Sequence, residues 1–122
     1  MNLIIVGLGG IGSHLVQPLF QYLNFVNNPF EAIIVVDGDS YEAKNLSRQN
    51  VIDIDNKAIA TVKHYRKLYE NLVLNFVDKY INKDNISKIV QDTDVVLLGV
   101  DNNKTRMVFE EHMKSVENLT II

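Results

Sequence analysis

Cysteine is absent from this 122-residue chain, so disulfides, thiolate metal sites and a covalent cysteine intermediate are all excluded on it. No apolar run reaches transmembrane length, and no basic segment precedes an apolar core at the start. The sequence therefore supports neither a membrane span nor a signal peptide, and a cytoplasmic protein is expected. Internal repeats and low-complexity stretches are also missing. Neither sign of charge dominates: a formal net charge of -3 gives no general pull toward nucleic acid or anionic membrane, so basic residues matter only locally. His64 and His112 fall on helical patterns with no cysteine or paired histidine nearby, which argues against a metal cluster, and His14 reads as an exposed first-turn histidine rather than one facing a phosphate. There is no Ser-His-Asp arrangement and no basic-aromatic pattern of a nucleic-acid binder. What remains is an ordinary globular composition, 47% hydrophobic and 22% charged, in a length suited to one domain with one core.

The chain is organised around its opening. Asn2-Leu3-Ile4-Ile5-Val6 is an apolar, β-branched run that ends in Gly7-Leu8-Gly9-Gly10-Ile11-Gly12-Ser13, and helix-compatible residues follow to Tyr22. Glycines at G-x-G-x-x-G spacing between a strand and a helix form a phosphate-binding turn. Gly7 makes the turn tight, Gly9 lets the backbone approach a pyrophosphate with no Cβ in the way, and Gly12 lets the helix pack close to the strand. The unpaired N–H groups at the helix start face the anion. Taken alone, this pattern does not choose a nucleotide, and a glycine turn that binds nothing also satisfies it.

Short apolar runs then alternate with helical patterns. The first helix directs Leu15, Leu19, Tyr22 and Leu23 toward a sheet, with a bend expected at Pro18, and Asn27-Asn28-Pro29 stops it. Ala32 to Val36 is apolar on both faces, as a buried parallel strand should be, and delivers Asp37 at its carboxyl end. An irregular polar stretch from Tyr41 to Ile54 leads to a helix from about Asp55 to Leu72. Its apolar stripe contains Ile59, Val62, Tyr65 or Arg66, Tyr69 and Leu72, leaving Lys63 and Lys67 to solvent. A strand over Leu74 to Val77, a short helix at Ile86 to Gln91 and a strongly apolar strand from Val95 to Val100 come next. Asp101-Asn102-Asn103 caps a helix from about Lys104 to Glu117 with Phe109, Met113 and Val116 inward, and a strand closes at Leu119 to Ile122. The fold class is α/β, a Rossmann-like, doubly wound, mainly parallel sheet of order 3-2-1-4-5. Gly7, Asp37 and Asp101 then meet at its switch point.

Asp37 follows the last motif glycine by the distance at which such folds place an acid on the ribose hydroxyls, although a solvated turn aspartate fits the same position. Hydride-transfer cofactors need little more positive charge, whereas attack on a triphosphate needs cations over the attacked phosphorus. Arg48 and Lys57 are available for that role. Considered singly, a structural salt bridge for Arg48 and a solvated helix position for Lys57 are the favoured readings. Asp39 reads as a capping or loop-ordering residue.

The ordered set Gly7-Leu8-Gly9-Gly10-Ile11-Gly12-Ser13, Val36-Asp37-Gly38-Asp39 and Lys44-Asn45-Leu46-Ser47-Arg48-Gln49 resembles the ThiF/MoeB/ubiquitin-activating-enzyme family. Lys57-Ala58 and Val100-Asp101-Asn102 with Thr105-Arg106 extend the likeness over nearly the whole chain. The resemblance implies ATP and Mg2+ as cofactors, with Gly7, Gly9, Gly10 and Gly12 as the phosphate turn and Asp37 on the ribose. It places Asn45 and Arg48 on the phosphates, Lys57 near the α-phosphate, and Asp101 on the metal, where a helix N-cap role competes. Arg48, Lys57 and Asp101 would be the catalytic set. The implied activity is adenylation of the C-terminal carboxylate of a small ubiquitin-like or sulfur-carrier protein, in a homodimer, with no thioester step on a chain without cysteine. Alternatives are a non-catalytic scaffold subunit of the same family and an NAD-binding Rossmann domain, which leaves the Asn45 to Gln49 block without a purpose.

The sequence also departs from that family. Residues 1–122 read as its nucleotide-binding domain, truncated or reduced, since members usually continue past the fifth strand and carry helices before the first that supply a further arginine. Arg48 and Lys57 stand closer together than in bacterial members, leaving Lys63 as the alternative cation.

Overall fold

The computed structural model describes residues 1–9, 11–40, 56–99, 103–116 and 118–122. Among them β1 (Leu3–Val6), α1 (Ile11–Phe25), β2 (Ile33–Val36), α2 (Lys57–Leu68), β3 (Leu74–Val77), α3 (Ile86–Ile89), β4 (Val95–Leu98), α4 (Asn103–Met113) and β5 (Thr120–Ile121) follow one another. The sheet has five strands in the order β3-β2-β1-β4-β5, and every pairing is parallel. This is the Rossmann-like arrangement expected from the alternation of apolar runs and helices.

β1 sits at the centre, with Leu3 opposite both Ile33 and Val95, and Val6 opposite both Val36 and Leu98. Its four residues are all buried, because side chains alternate across a sheet that is covered on both faces. Leu3 and Ile5 point to one face, where Val16, Phe20 and Leu23 of α1 and Ala58 and Val62 of α2 pack. Ile4 and Val6 point to the other, against Ile86 and Val90 around α3 and Phe109 of α4. Phe20 and Phe109 are the largest fully enclosed side chains, one per face.

Two inward assignments on α1 are corrected. Leu15 and Tyr22 are 50% and 65% exposed, and Val16 and Phe20 occupy the core in their place. The helix contains no charged residue, so two apolar stripes one residue, or about 100°, apart compete, sharing Leu19 and Leu23. Phe20, which has no hydroxyl to satisfy as Tyr22 has, takes the interior, where its ring meets Tyr65 edge-on with centroids 5.2 Å apart. Pro18 lies within the uninterrupted helix on its exposed side, where water can serve the carbonyl left without a donor.

α2 ends at Leu68 rather than Leu72, with Tyr69 as its C-cap, yet Leu72 still reaches the core from the following turn. Tyr65 takes the apolar stripe and stacks on Tyr69 at 5.9 Å. Arg66 instead donates from Nε (2.9 Å) and Nη2 (2.5 Å) to the carbonyl of Leu74, tying the helix to the outermost strand. In α4, Phe109 and His112 are buried, while Met113 is 42% exposed. His112 Nε2 lies 2.9 Å from the Val90 carbonyl, which requires the proton on that nitrogen. At the amino edge of the sheet, buried Asp94 accepts from the N–H groups of Asn2 (2.9 Å) and Gln91 (3.0 Å).

Candidate nucleotide site

Strands are added on one side of β1 up to β3 and on its other side from β4 onward, so the order reverses at β1 and a crevice opens at the carboxyl ends of β1, β2 and β4. The strands stay paired up to its rim. Gly7 N–H donates to the Val36 carbonyl at 2.9 Å and Gly99 N–H to the Val6 carbonyl at 2.8 Å. Gly7 has φ of 89°, a conformation open to glycine and strained for other residues, and this turns the chain from β1 into the loop. Gly9 is exposed, and a Cβ built there would have nothing within 4 Å. Among the described residues no packing accounts for glycine at position 9, and its open backbone leaves room for a ligand to approach. α1 begins at Ile11, and the first turn of a helix directs N–H groups without intrahelical partners toward the same rim.

Asp37 directly follows β2 and is only 7% exposed. Its Oδ2 accepts from the N–H of Leu8 in the glycine turn at 2.7 Å, and its Oδ1 from Asp39 N–H at 2.8 Å. The carboxylate thus links two of the three loops at the crevice. An ionised carboxylate offers about four lone-pair positions, so two acceptor positions remain beyond these bonds from the described residues.

Asn56 is the contact that sequence reasoning missed. Its Nδ2 donates to the Asp37 carbonyl at 2.8 Å, and its Oδ1 accepts from Ala58 N–H at 2.8 Å and Ile59 N–H at 3.1 Å as the N-cap of α2. An Asn just ahead of a helical stripe is a capping signal, but starting the helix at Asp55 hides it. Lys57 N–H donates to the Asp39 carbonyl at 2.8 Å, and Ser40 bridges Asn56 in antiparallel fashion. Lys57 is therefore the first residue of α2, anchored at the crevice rim. Lys63 is exposed and lies six residues further along the helix, about 9 Å from the rim end at 1.5 Å per residue. The position of Lys57 suits the crevice better than that of Lys63.

Tyr80 was also not singled out, since an aromatic in a polar loop carries no local signal. Its hydroxyl donates to Asp39 Oδ1. This bond holds the tyrosine proton and raises its pKa above the usual value, with desolvation and the negative charges of Asp39 and Asp37 acting the same way. Asp39 orders the loop, as its turn position suggested. The Tyr80 ring also covers Gly38 so closely that a Cβ there would lie 2.5 Å from Cδ2. Gly38→Ala is expected to displace Tyr80 and lower stability by about 1 to 3 kcal/mol. In a Tyr80→Ser background the same change should cost far less, as a double-mutant cycle by urea unfolding would measure.

Gly10, Asn45, Arg48 and Asp101 lie outside the described residues. Gly12 falls in the first turn of α1. Among the described residues there is no group of three or more His, Cys, Asp or Glu side chains that would hold a metal ion, and no helix is long and apolar enough to cross a membrane.

Residues 1–117 match the profile of the ThiF family. The chain belongs to the ThiF family. Among curated relatives of this ThiF member, the SAMP-activating enzyme E1 of Haloferax volcanii is 32% identical over 114 residues, spanning 90% of this chain and 40% of the enzyme. Solved structures share the ThiF chain's fold at lower identity. E. coli tRNA N6-threonylcarbamoyladenosine dehydratase, TcdA, superposes with a TM-score of 0.71 at 19% identity, over 99% of this chain and 50% of TcdA. Its complex with ATP gives a TM-score of 0.70 at 19% identity, over 98% of this chain and 49% of that one. ATP-bound HcgE from Methanothermobacter marburgensis gives 0.55 at 18% identity, over 94% of this chain and 58% of HcgE. This ThiF chain thus spans half or less of the length of the Haloferax enzyme and of TcdA.

Proposed function

We propose that this chain is the nucleotide-binding part of an ATP-dependent adenylating enzyme that activates the C-terminal carboxylate of a small ubiquitin-like or sulfur-carrier protein. The observation that carries the reading is the buried Asp37 carboxylate, bonded to the glycine turn beside the open backbone of Gly9, in a chain of the ThiF family. An activating E1 among its relatives and a neighbour solved with ATP support it. Family membership also favours adenylation over the nicotinamide alternative, for which the Asn45 to Gln49 block has no use.

In this reading Asp37 holds the ribose hydroxyls on its two remaining acceptor positions. The backbone of Gly7, Gly9, Gly10 and Gly12 receives the phosphates, with Asn45 and Arg48 beside them and Lys57 at the α-phosphate. A carboxylate oxygen of the partner protein attacks the α-phosphorus, the bond to the bridging oxygen breaks, and pyrophosphate leaves with that electron pair. Negative charge grows around phosphorus, and the guanidinium of Arg48 and the ammonium of Lys57 stabilise it. Asp101 would hold Mg2+, which when bound would supply further neutralisation of the leaving group. The reading includes a homodimer acting in the cytoplasm.

The test is thermal unfolding with ATP and Mg2+, with NAD, and with neither. ATP and Mg2+ at about 100 times the dissociation constant should stabilise by roughly 2.7 kcal/mol, while NAD should not. Arg48→Ala should reduce pyrophosphate exchange with a carboxyl-terminal peptide about 10²- to 10³-fold, as loss of one oxyanion donor does. Binding of ATP without exchange by the wild-type chain would favour the scaffold alternative, and stabilisation by NAD alone would overturn the proposal.

A further inference from the structure

We infer that Asn56 is the positioning residue of the nucleotide site, holding Asp37 and the Lys57 end of α2 in one geometry. The inference rests on the adenylation reading for its effect on ATP, and on the hydrogen bonds alone for the clamp itself. The Asn56 side chain is buried and uses both ends of its amide. Nδ2 donates to the Asp37 carbonyl at 2.8 Å, while Oδ1 accepts from the N–H groups of Ala58 and Ile59. Only this orientation works, because a carbonyl needs the amide's N–H and two backbone N–H groups need its oxygen.

Asp37 in turn uses its carboxylate on Leu8 N–H and Asp39 N–H. Asp39 returns the link by accepting Lys57 N–H on its carbonyl at 2.8 Å. Strand end and helix start are therefore closed into one ring of hydrogen bonds, to which the glycine turn is tied through Leu8 N–H. Asn56 is the side chain that joins the helix to the aspartate. Ribose and α-phosphate of one nucleotide are separated by fixed covalent geometry, so the groups that receive them must be held at a matching separation. Serine keeps the N-cap acceptor but is too short to donate to the Asp37 carbonyl, and alanine loses both functions.

The experiment compares Asn56→Ser, Asn56→Ala and wild type by amide hydrogen exchange and by calorimetric titration with ATP and Mg2+. Asn56→Ser should leave Ala58 and Ile59 protected and speed exchange at Leu8 and Asp39 about tenfold or more. Asn56→Ala should deprotect all four. Both variants should bind ATP about tenfold more weakly, the order expected for one lost positioning hydrogen bond. Asp94→Asn, which disturbs hydrogen bonds at the amino edge of the sheet, should leave ATP affinity unchanged. Wild-type exchange at Leu8 and Asp39 in Asn56→Ser would overturn the clamp, and so would wild-type ATP affinity in that variant. If the wild-type chain itself fails to bind ATP, the adenylation reading falls, while the exchange rates at Leu8 and Asp39 still decide the clamp.

Discussion

Asp37→Asn is expected to weaken ATP binding by about 10- to 100-fold and to lower stability by about 1 to 3 kcal/mol. The substitution keeps shape but not acceptor capacity. In the native site the two carboxylate oxygens accept from Leu8 N–H and Asp39 N–H, and an amide can satisfy only one of them. Its NH2 group is forced against the other donor, so one N–H near the site loses its partner. The ribose contacts proposed for Asp37 also lose charge assistance, worth about 1.5 to 3 kcal/mol per bond to a charged group. Isothermal titration with ATP and urea unfolding without ligand separate the two effects. Wild-type affinity in Asp37→Asn would remove Asp37 from the nucleotide site, whatever the stability change.

Phe20→Ala should cost about 3 to 5 kcal/mol, the usual range for emptying a buried phenylalanine site. Total stability for a domain of this kind is about 5 to 15 kcal/mol, so the variant is expected to approach unfolding at 37 °C. Phe20 is fully enclosed. It joins α1 to β1, β2 and α2 in one cluster and meets the Tyr65 ring edge-on. The neighbours that would have to collapse into the space are strand residues fixed in register on both sides of β1. Little relaxation is available to them. Phe20→Leu should recover most of the loss, falling short chiefly by the ring pairing, about 0.5 to 1.5 kcal/mol. Urea midpoints of the two variants check this. Equal midpoints for the alanine variant and wild type would mean that α1 is not held by this contact.

The elements that the sequence determined by itself are those whose signals are local. β1 is legible because four apolar residues, three of them β-branched, run straight into a glycine turn, and a strand buried on both faces needs that composition. Gly7 is legible for the same reason, since its positive φ is a backbone requirement that glycine meets without help from elsewhere. Asp37 could be placed by counting, because a parallel strand ends where its apolar run ends and the next residue stands at the crevice. The parallel sheet was expected from the alternation of strands and helices, in the doubly wound order the structure has.

Tertiary structure decided what depends on residues far apart in the chain. Which stripe of α1 turns inward was open, because a helix without charged residues marks no solvent side, and Phe20 became core only when Tyr65 of α2 stood opposite it. Tyr80 reaches Asp39 across 41 positions and Asn56 reaches Asp37 across 19. No periodicity encodes either pair, because a hydrogen bond between loops depends on how the strands beneath them are aligned. Asp37 itself was visible as an acid at a strand end, but its bond to Leu8, 29 residues earlier, exists only because β1 and β2 pair in parallel register and bring their carboxyl ends side by side. Sequence thus placed the chemical groups along the chain, and strand register brought them within hydrogen-bonding distance.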